Sequence, residues 1–511
     1  MPDDSNGSEV RGTGRLKPLI QIALIVGPFL SMMDSSVVNV ALPFISGDFN
    51  SSLTDAQWIL SGYLLALAAV LPASAFLSKR YGAGRVYMLS IVGFTLASLL
   101  CALSSNLDSL IVTRFAQGAM GAPLVPIAMD MLFGGSAERK EGASMMPTQI
   151  SPLLGLVLFL APALGPTLGG YLVAYAGWQS IFLINVPIGF VSVLLVYHYR
   201  HELGDATADS SARFDMIGSL LISVGLVLVI YAASEGPLVG WLSPQTLPFL
   251  VTGLVLIVAY VVWALRKEHP AVNLKLVRSS QTALALTISI LAAVVLFSVL
   301  FLLPVFMESV QGISVMDTGL ALLPQGLATG IGTVVGDRIS RRTGIRFTVI
   351  LGMAILTAST AGLLALNAST SAWVIAGILT GRGLALGLTI QPLLIDTIGR
   401  LSGKEIPDGN TLFNVFQRLG GTVGISLLST YYQLRVQFHL TEVLQQYGIT
   451  VPINSVGQGG SLLSTLPAAV QSQLVNAEVS GFQETMMVLV AVTIVGLILA
   501  FFIKNSRSKE E

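Results

Sequence analysis

Apolar runs of about 20 residues, joined by short polar segments, decide what this chain can fold into. A helix needs roughly 20 mostly apolar residues to cross the ~30 Å hydrocarbon core of a bilayer. Fourteen such runs follow one another, near 18–42, 54–77, 86–104, 107–133, 144–172, 178–198, 213–233, 246–265, 281–304, 317–337, 346–366, 371–398, 411–431 and 482–503. We number them spans 1 to 14. Only 11% of the 511 residues are charged and 53% are hydrophobic, too few charges for the wetted surface of a soluble body of this size. The Gly and Pro inside many runs are tolerated in membrane helices. The first run continues through Asp34 without a small-residue cleavage site, so it reads as a span and not as a signal peptide. The expected fold class is an all-α polytopic membrane protein.

Basic residues set the orientation, because Lys and Arg concentrate in cytoplasmic segments. With both termini cytoplasmic, every one of the 27 Lys and Arg except Arg114, Arg382, Arg418 and Arg435 falls on the inside. Arg435 lies in an outside loop, and the other three lie within spans 4, 12 and 13. Most loop cations need no role beyond anchoring this topology. A formal net charge of zero conceals the asymmetry.

Spans 1–6 end at the polar stretch His198–Arg213, and a second polar segment, Arg266–Gln281, precedes span 9. The organisation reads as six plus two plus six: a six-helix bundle over 1–204, two inserted helices over 205–270, and a second bundle over 271–511. One long outside loop covers 432–481; its first part is expected to prolong span 13 and the remainder to be irregular. The two bundles echo each other. Span 2 ends in SKRYGAGR and span 10 in DRISRRTGIR, each with a glycine (Gly82, Gly344) before the next helix, while span 4 carries RFAQGAMG and span 12 GRGLALG. Such repeats are how transporters with alternating access are built.

Ionisable groups inside a membrane are costly and are functional or paired by default. Asp34 in span 1 and Arg114 in span 4 fall at nearly the same depth. Burial favours the neutral acid while a nearby guanidinium favours the carboxylate, and a group balanced in this way can load and release a proton. A static ion pair that only fixes helix packing is the competing reading. In span 5, APALGPTLGG (Ala161–Gly170) combines a helix-kinking Pro166 with Gly165, Gly169 and Gly170, a pattern that by itself means a tight helix interface. Glu308, at the outer end of span 9, is a candidate outer cation or proton site. The single cysteine, Cys101, reads as a small packing residue, since it excludes any CxxC site. With four histidines and no HExxH, Walker or GxSxG element, no enzyme is expected.

Several segments resemble the fourteen-helix drug:proton antiporters of the major facilitator superfamily, closest to the EmrB/QacA type. MMDSSVVNVALP (Met32–Pro43) is similar to their span 1. Leu77–Arg85 resembles the loop motif gxLaDrxGrk, and LIVTRFAQGAMG (Leu110–Gly121) the span 4 motif with Arg114, Gln117 and Gly118 in place. Gly165, Pro166, Gly169 and Gly170 match the antiporter motif gxxxGPxxGG, with Ala161 in its first slot. WQSIFLINVPIG, RFDMIG and FQRLGGTVG also look like this branch. The resemblance implies the major facilitator fold and proton coupling by Asp34 and Arg114, with the span 5 motif governing the interface between halves. It also implies a central cavity lined by spans 1, 2, 4 and 5 and their counterparts 9, 10, 12 and 13. Candidate lining residues are Asn39, Trp58, Tyr63, Gln149, Phe297, Phe301, Gln325 and Arg382, whose aromatic faces suit apolar cations. The loop motif departs from the family: Lys79 stands at its acidic slot, and Ala83 and Gly84 replace its basic pair. Arg80 and Gly82 carry over as gate-region residues, and the gate must find other partners.

The expected function is proton-coupled efflux of amphiphilic or cationic compounds from a cell membrane. The proton gradient would be the energy source and no cofactor or metal is needed. Expected partners are the lipid bilayer, small amphiphiles, protons and, in a two-membraned cell, a periplasmic adaptor; no nucleic acid is implied. A dedicated exporter of one lipid, metabolite or antibiotic on the same fold is the alternative.

Overall fold

The computed structural model describes residues 18–51, 53–56, 58–134, 161, 164–165, 168–200, 215–268, 270–399, 401, 406–447 and 467–505. Everything regular among them is helical, and twelve helices are long and apolar enough to cross a membrane. They are spans 1–4, 6–12 and 14 of the sequence reading. Span 13 is also present, as the 41-residue helix Ile406–Gln446, whose polar residues keep it out of that twelve. Most of span 5, including Gln149 and Pro166, lies outside the described residues, as do the 201–214 connector and both chain ends.

The packing repeats between the two blocks. In the first, span 1 (Pro18–Asp48) packs on span 6 (Asn185–His198), span 2 (Trp58–Val70) on span 4 (Leu107–Gly121), and span 3 (Ala83–Ala102) on spans 4 and 6. In the second, span 9 (Ser280–Ser309) packs on span 14 (Ala468–Ala500), span 10 (Val315–Thr343) on span 12 (Ala372–Gly399), and span 11 (Ile345–Gly362) on spans 12 and 14. Each contact has its counterpart six helices on, once the inserted pair is set aside. The loop glycines repeat too. Gly82 (φ 88°, ψ 135°) and Gly344 (φ 89°, ψ 160°) both take a backbone conformation that a side chain disfavours, turning the chain between spans 2 and 3 and spans 10 and 11.

The inserted pair, Met216–Val239 and Leu247–Arg266, packs on itself and docks through span 7 onto both blocks. Ser223 donates to the Ala69 carbonyl of span 2 at 2.6 Å, and Trp241 Nε1 donates to Thr430 Oγ1 of span 13 at 3.0 Å. Span 8 shows its apolar side chains outward: Val255 and Val258 are about three-fifths exposed, while Gly253, Tyr260 and Ala264 face inward. Such a surface is unfavourable in water and costs nothing against lipid tails.

The outside loop is more regular than expected. Spans 13 and 14 run on beyond bilayer length and meet as an antiparallel pair around Leu440, Leu444, Val470, Leu474 and Ala477. The pair is clasped by Arg435, which bonds Glu484 (Nη2–Oε1 2.9 Å), and by His439, whose Nε2 lies 3.1 Å from the same oxygen. The apolar residues recur at helical spacing within a polar stretch, so helix persists where low hydrophobicity suggests a loop.

Candidate functional site: a buried carboxylate–guanidinium cluster

Span 1 carries Asp34 to within contact of span 4, where Arg114 Nη1 bonds Asp34 Oδ2. Both side chains are enclosed, at 1% and 0% exposure. The carboxylate receives two further donors on its other oxygen: Gln117 Nε2 at 3.2 Å and Asn185 Nδ2 at 2.9 Å. Ser98 Oγ ties these amides together, accepting from Gln117 at 3.0 Å and from Asn185 at 2.9 Å. Arg114 is held in turn by the Gln117 carbonyl oxygen (2.7 Å) and the Ile59 backbone carbonyl (3.3 Å), and its guanidinium lies 4.4 Å from the centre of the Tyr63 ring. Three spans, 1, 4 and 6, thus meet at one carboxylate; span 3 braces its amide donors and span 2 holds its counter-ion.

Local sequence explains the fit. A Cβ on Gly118 would stand 2.3 Å from the Tyr63 carbonyl oxygen, so only glycine lets span 4 approach span 2 closely enough to seat Arg114 beside Asp34. A Cβ on Gly165 would fall 1.9 Å from Ser36 Oγ, and one on Gly169 3.0 Å from the Val37 carbonyl. These glycines therefore seat span 5 on span 1 within the first block, two and three residues past Asp34. The near face of Gly165 and of Gly169 thus meets span 1 of their own block. Gly165→Ala should cost at least tenfold in transport while leaving membrane insertion intact; unchanged initial efflux rates at equal expression would refute this packing role.

The expected cavity residues do not share one site. Trp58 turns to the inserted pair, its ring 5.8 Å from Tyr231, which in turn meets Phe249 at 4.8 Å. Tyr63 is fully buried and its hydroxyl donates to the Ser31 carbonyl at 3.0 Å, so it belongs to the ion-pair cluster and not to an open wall. Phe297 packs where span 13 has Gly421, Phe301 is 46% exposed, and Gln325 is buried with its amide oxygen unpartnered. Arg382 is wholly enclosed among helices of the second block. Asn39 lies on span 1 with its side chain outside the described residues, and Glu308 is exposed at the outer end of span 9. Cys101 is buried against Gln117.

Asn185 and Ser98 escaped the site reading. A lone asparagine in the apolar SIFLINVPIG run was the available signal, since a polar group at that depth needs a partner; nothing near Ser98 distinguished it from packing serines. The acidic partner of Lys79 also emerges: its Nζ lies 2.6 Å from Asp408 Oδ1, linking the end of span 2 to the first turn of span 13. Arg80 is half-buried beside the Gly82 turn.

Repeated helical blocks around buried intramembrane charge define a multi-pass membrane transporter. The chain belongs to the Major Facilitator Superfamily, whose family model matches residues 24–425. It is 29% identical to the "Multidrug resistance protein B homolog" of Mycobacterium tuberculosis (strain H37Rv) over 95% of this chain and 89% of that protein. It is 28% identical to the "Multidrug export protein EmrB" of Escherichia coli K12, over 84% of this chain and 82% of the relative. Among solved structures, a bacterial homologue of the human lysosomal transporter Spinster, in an inward-facing, unoccupied conformation, superposes with a TM-score of 0.58 at 13% identity, covering 96% of this chain and 98% of that one.

Proposed function

We propose that this protein is a proton-coupled multidrug efflux antiporter that exports amphiphilic or cationic compounds by alternating access. The carrying observation is the enclosed Asp34–Arg114 pair, held by Gln117 and Asn185. Protonation of Asp34 cancels its charge and leaves the guanidinium uncompensated, which in a buried setting is worth several kcal/mol. That change biases the first block toward a second arrangement in which the carboxyl meets water on the other face. Release of the proton restores the pair, and cargo is carried during the return. The proton gradient supplies the energy and no cofactor enters. The decisive test is dye and drug efflux with the gradient intact and collapsed: collapse should abolish uphill export, and undiminished uphill export would refute proton coupling. Resistance to many compounds on expression, and not to one, separates multidrug export from a dedicated exporter.

The cytoplasmic gate uses inverted charges in this reading. Lys79 fills the slot that is acidic in the family's loop, and its partner, Asp408, begins a helix, where the dipole favours a carboxylate. Lys79→Asp sets like charges across the two blocks and should slow efflux several-fold. Combined with Asp408→Lys, the opposite pair returns and much of the rate should return with it. Both groups are partly exposed, so the pair is worth at most about 1 kcal/mol and the effect is kinetic. A double variant no faster than the single one would rule the pair out as a gate.

A further inference from the structure

Arg382 occupies on span 12 the place that Arg114 occupies on span 4. Span 1 ends its core at Pro43 and span 9 at Pro304, and Asp34 and Val295 stand equally far before these prolines. The spatial contacts agree with that register. Arg114 bonds the Asp34 side chain, whereas Arg382 Nη2 bonds the Val295 backbone carbonyl at 3.2 Å. The second block therefore keeps the guanidinium and lacks the carboxylate.

What surrounds Arg382 does not make up the deficit. Nη1 donates to Thr360 Oγ1 at 2.8 Å, and Nε is buried without a partner. Among the described residues no carboxylate pairs with it. Ser298, one turn beyond Val295 and on the same side of span 9, also has a buried hydroxyl with no partner. A guanidinium keeps its proton in proteins, so the site holds a full positive charge at 0% exposure. An uncompensated charge at such a place is among the costliest features a membrane protein can hold. One unused donor on a cation that cannot discharge, and an unused hydroxyl on the helix that the cation bonds, mark a place for a negative charge.

We propose that Arg382, with Ser298 beside it, is a binding site for a small monovalent anion, which supplies in the second block the charge that Asp34 supplies in the first. The enclosure limits the ligand to a halide or to the carboxylate end of a narrow molecule, and both use the same chemistry: one accepting centre facing Nε–H and a hydroxyl. Binding is measured without transport, so the site stands or falls separately from the antiport reading.

The test is thermal unfolding of the purified full-length protein in lipid nanodiscs, with chloride or acetate titrated against a bulky organic sulfonate at constant ionic strength. Ligand that binds only the folded state raises its melting temperature saturably; a rise on the order of 2–4 °C is expected. A rise with chloride alone identifies a halide site, and one with acetate alone a carboxylate site. No saturable rise with either overturns the proposal. Arg382→Met should abolish the rise and be at least as stable as the wild type in the bulky sulfonate. Val295→Asp should also abolish it, because the missing carboxylate is then built in. A rise persisting at the same half-saturating concentration in either folded variant overturns the assignment, and Arg382→Met suffices if Val295→Asp does not fold.

Discussion

Asp34→Asn should leave the protein folded and inserted but unable to drive efflux with a proton gradient. Asparagine keeps the shape and an acceptor for Arg114, and it removes the one group in the cluster that can exchange a proton. With its oxygen toward Arg114, its amide turns N–H donors toward Gln117 and Asn185, which already donate there, and the buried guanidinium loses its counter-charge, so a loss of stability of about 3–5 kcal/mol accompanies the loss of function. Uphill transport in proteoliposomes should fall to background, at least a hundredfold, whereas energy-independent exchange of cargo across the membrane should survive. Gradient-driven transport at the wild-type rate would show that the proton travels elsewhere. A static ion pair predicts the same loss of stability, with the remaining folded fraction still coupling.

The second large effect concerns the counter-ion. Arg114→Gln strands the Asp34 carboxylate in a cavity with 1% exposure, and breaking a buried pair from one side costs about 3–5 kcal/mol. The variant should express poorly and lose coupling, because release of the proton no longer restores an ion pair. Joining Asp34→Asn to Arg114→Gln removes both charges at once, so thermal stability should recover most of the way while coupling stays absent. Recovery of stability without recovery of transport separates the two roles of the pair. If the double variant is as unstable as Arg114→Gln alone, the penalty comes from lost packing against Tyr63 and Phe182, over which the guanidinium lies.

Some of this was legible in the residue order and some was not, for physical reasons. Spans follow from run length and apolarity, which act locally, and the placement of Asp34 beside Arg114 follows from depth along two helices of opposite direction. The residues that complete the cluster depend on how helices rotate about their axes. Trp58 has the composition of a cavity wall, yet span 7 docks on span 2 and takes that face. Asn185 sits in a run whose apolarity announces a span and whose one amide announces a partner without saying which. Lys79 signalled only a departure; its partner lies 329 residues away on a helix of the other block. The outward extension of span 13 is legible as an amphipathic continuation, whereas that of span 14 is not, because hydropathy measures suitability for lipid and this segment packs on span 13 instead.

The most direct measurement is reciprocal: load proteoliposomes with a pH indicator, impose a gradient of exported cargo with no initial pH difference, and follow the internal pH. Antiport through Asp34 predicts that downhill cargo movement drives protons the opposite way in the wild type and moves none in Asp34→Asn. Cargo movement without any proton flux in the wild-type protein would contradict it.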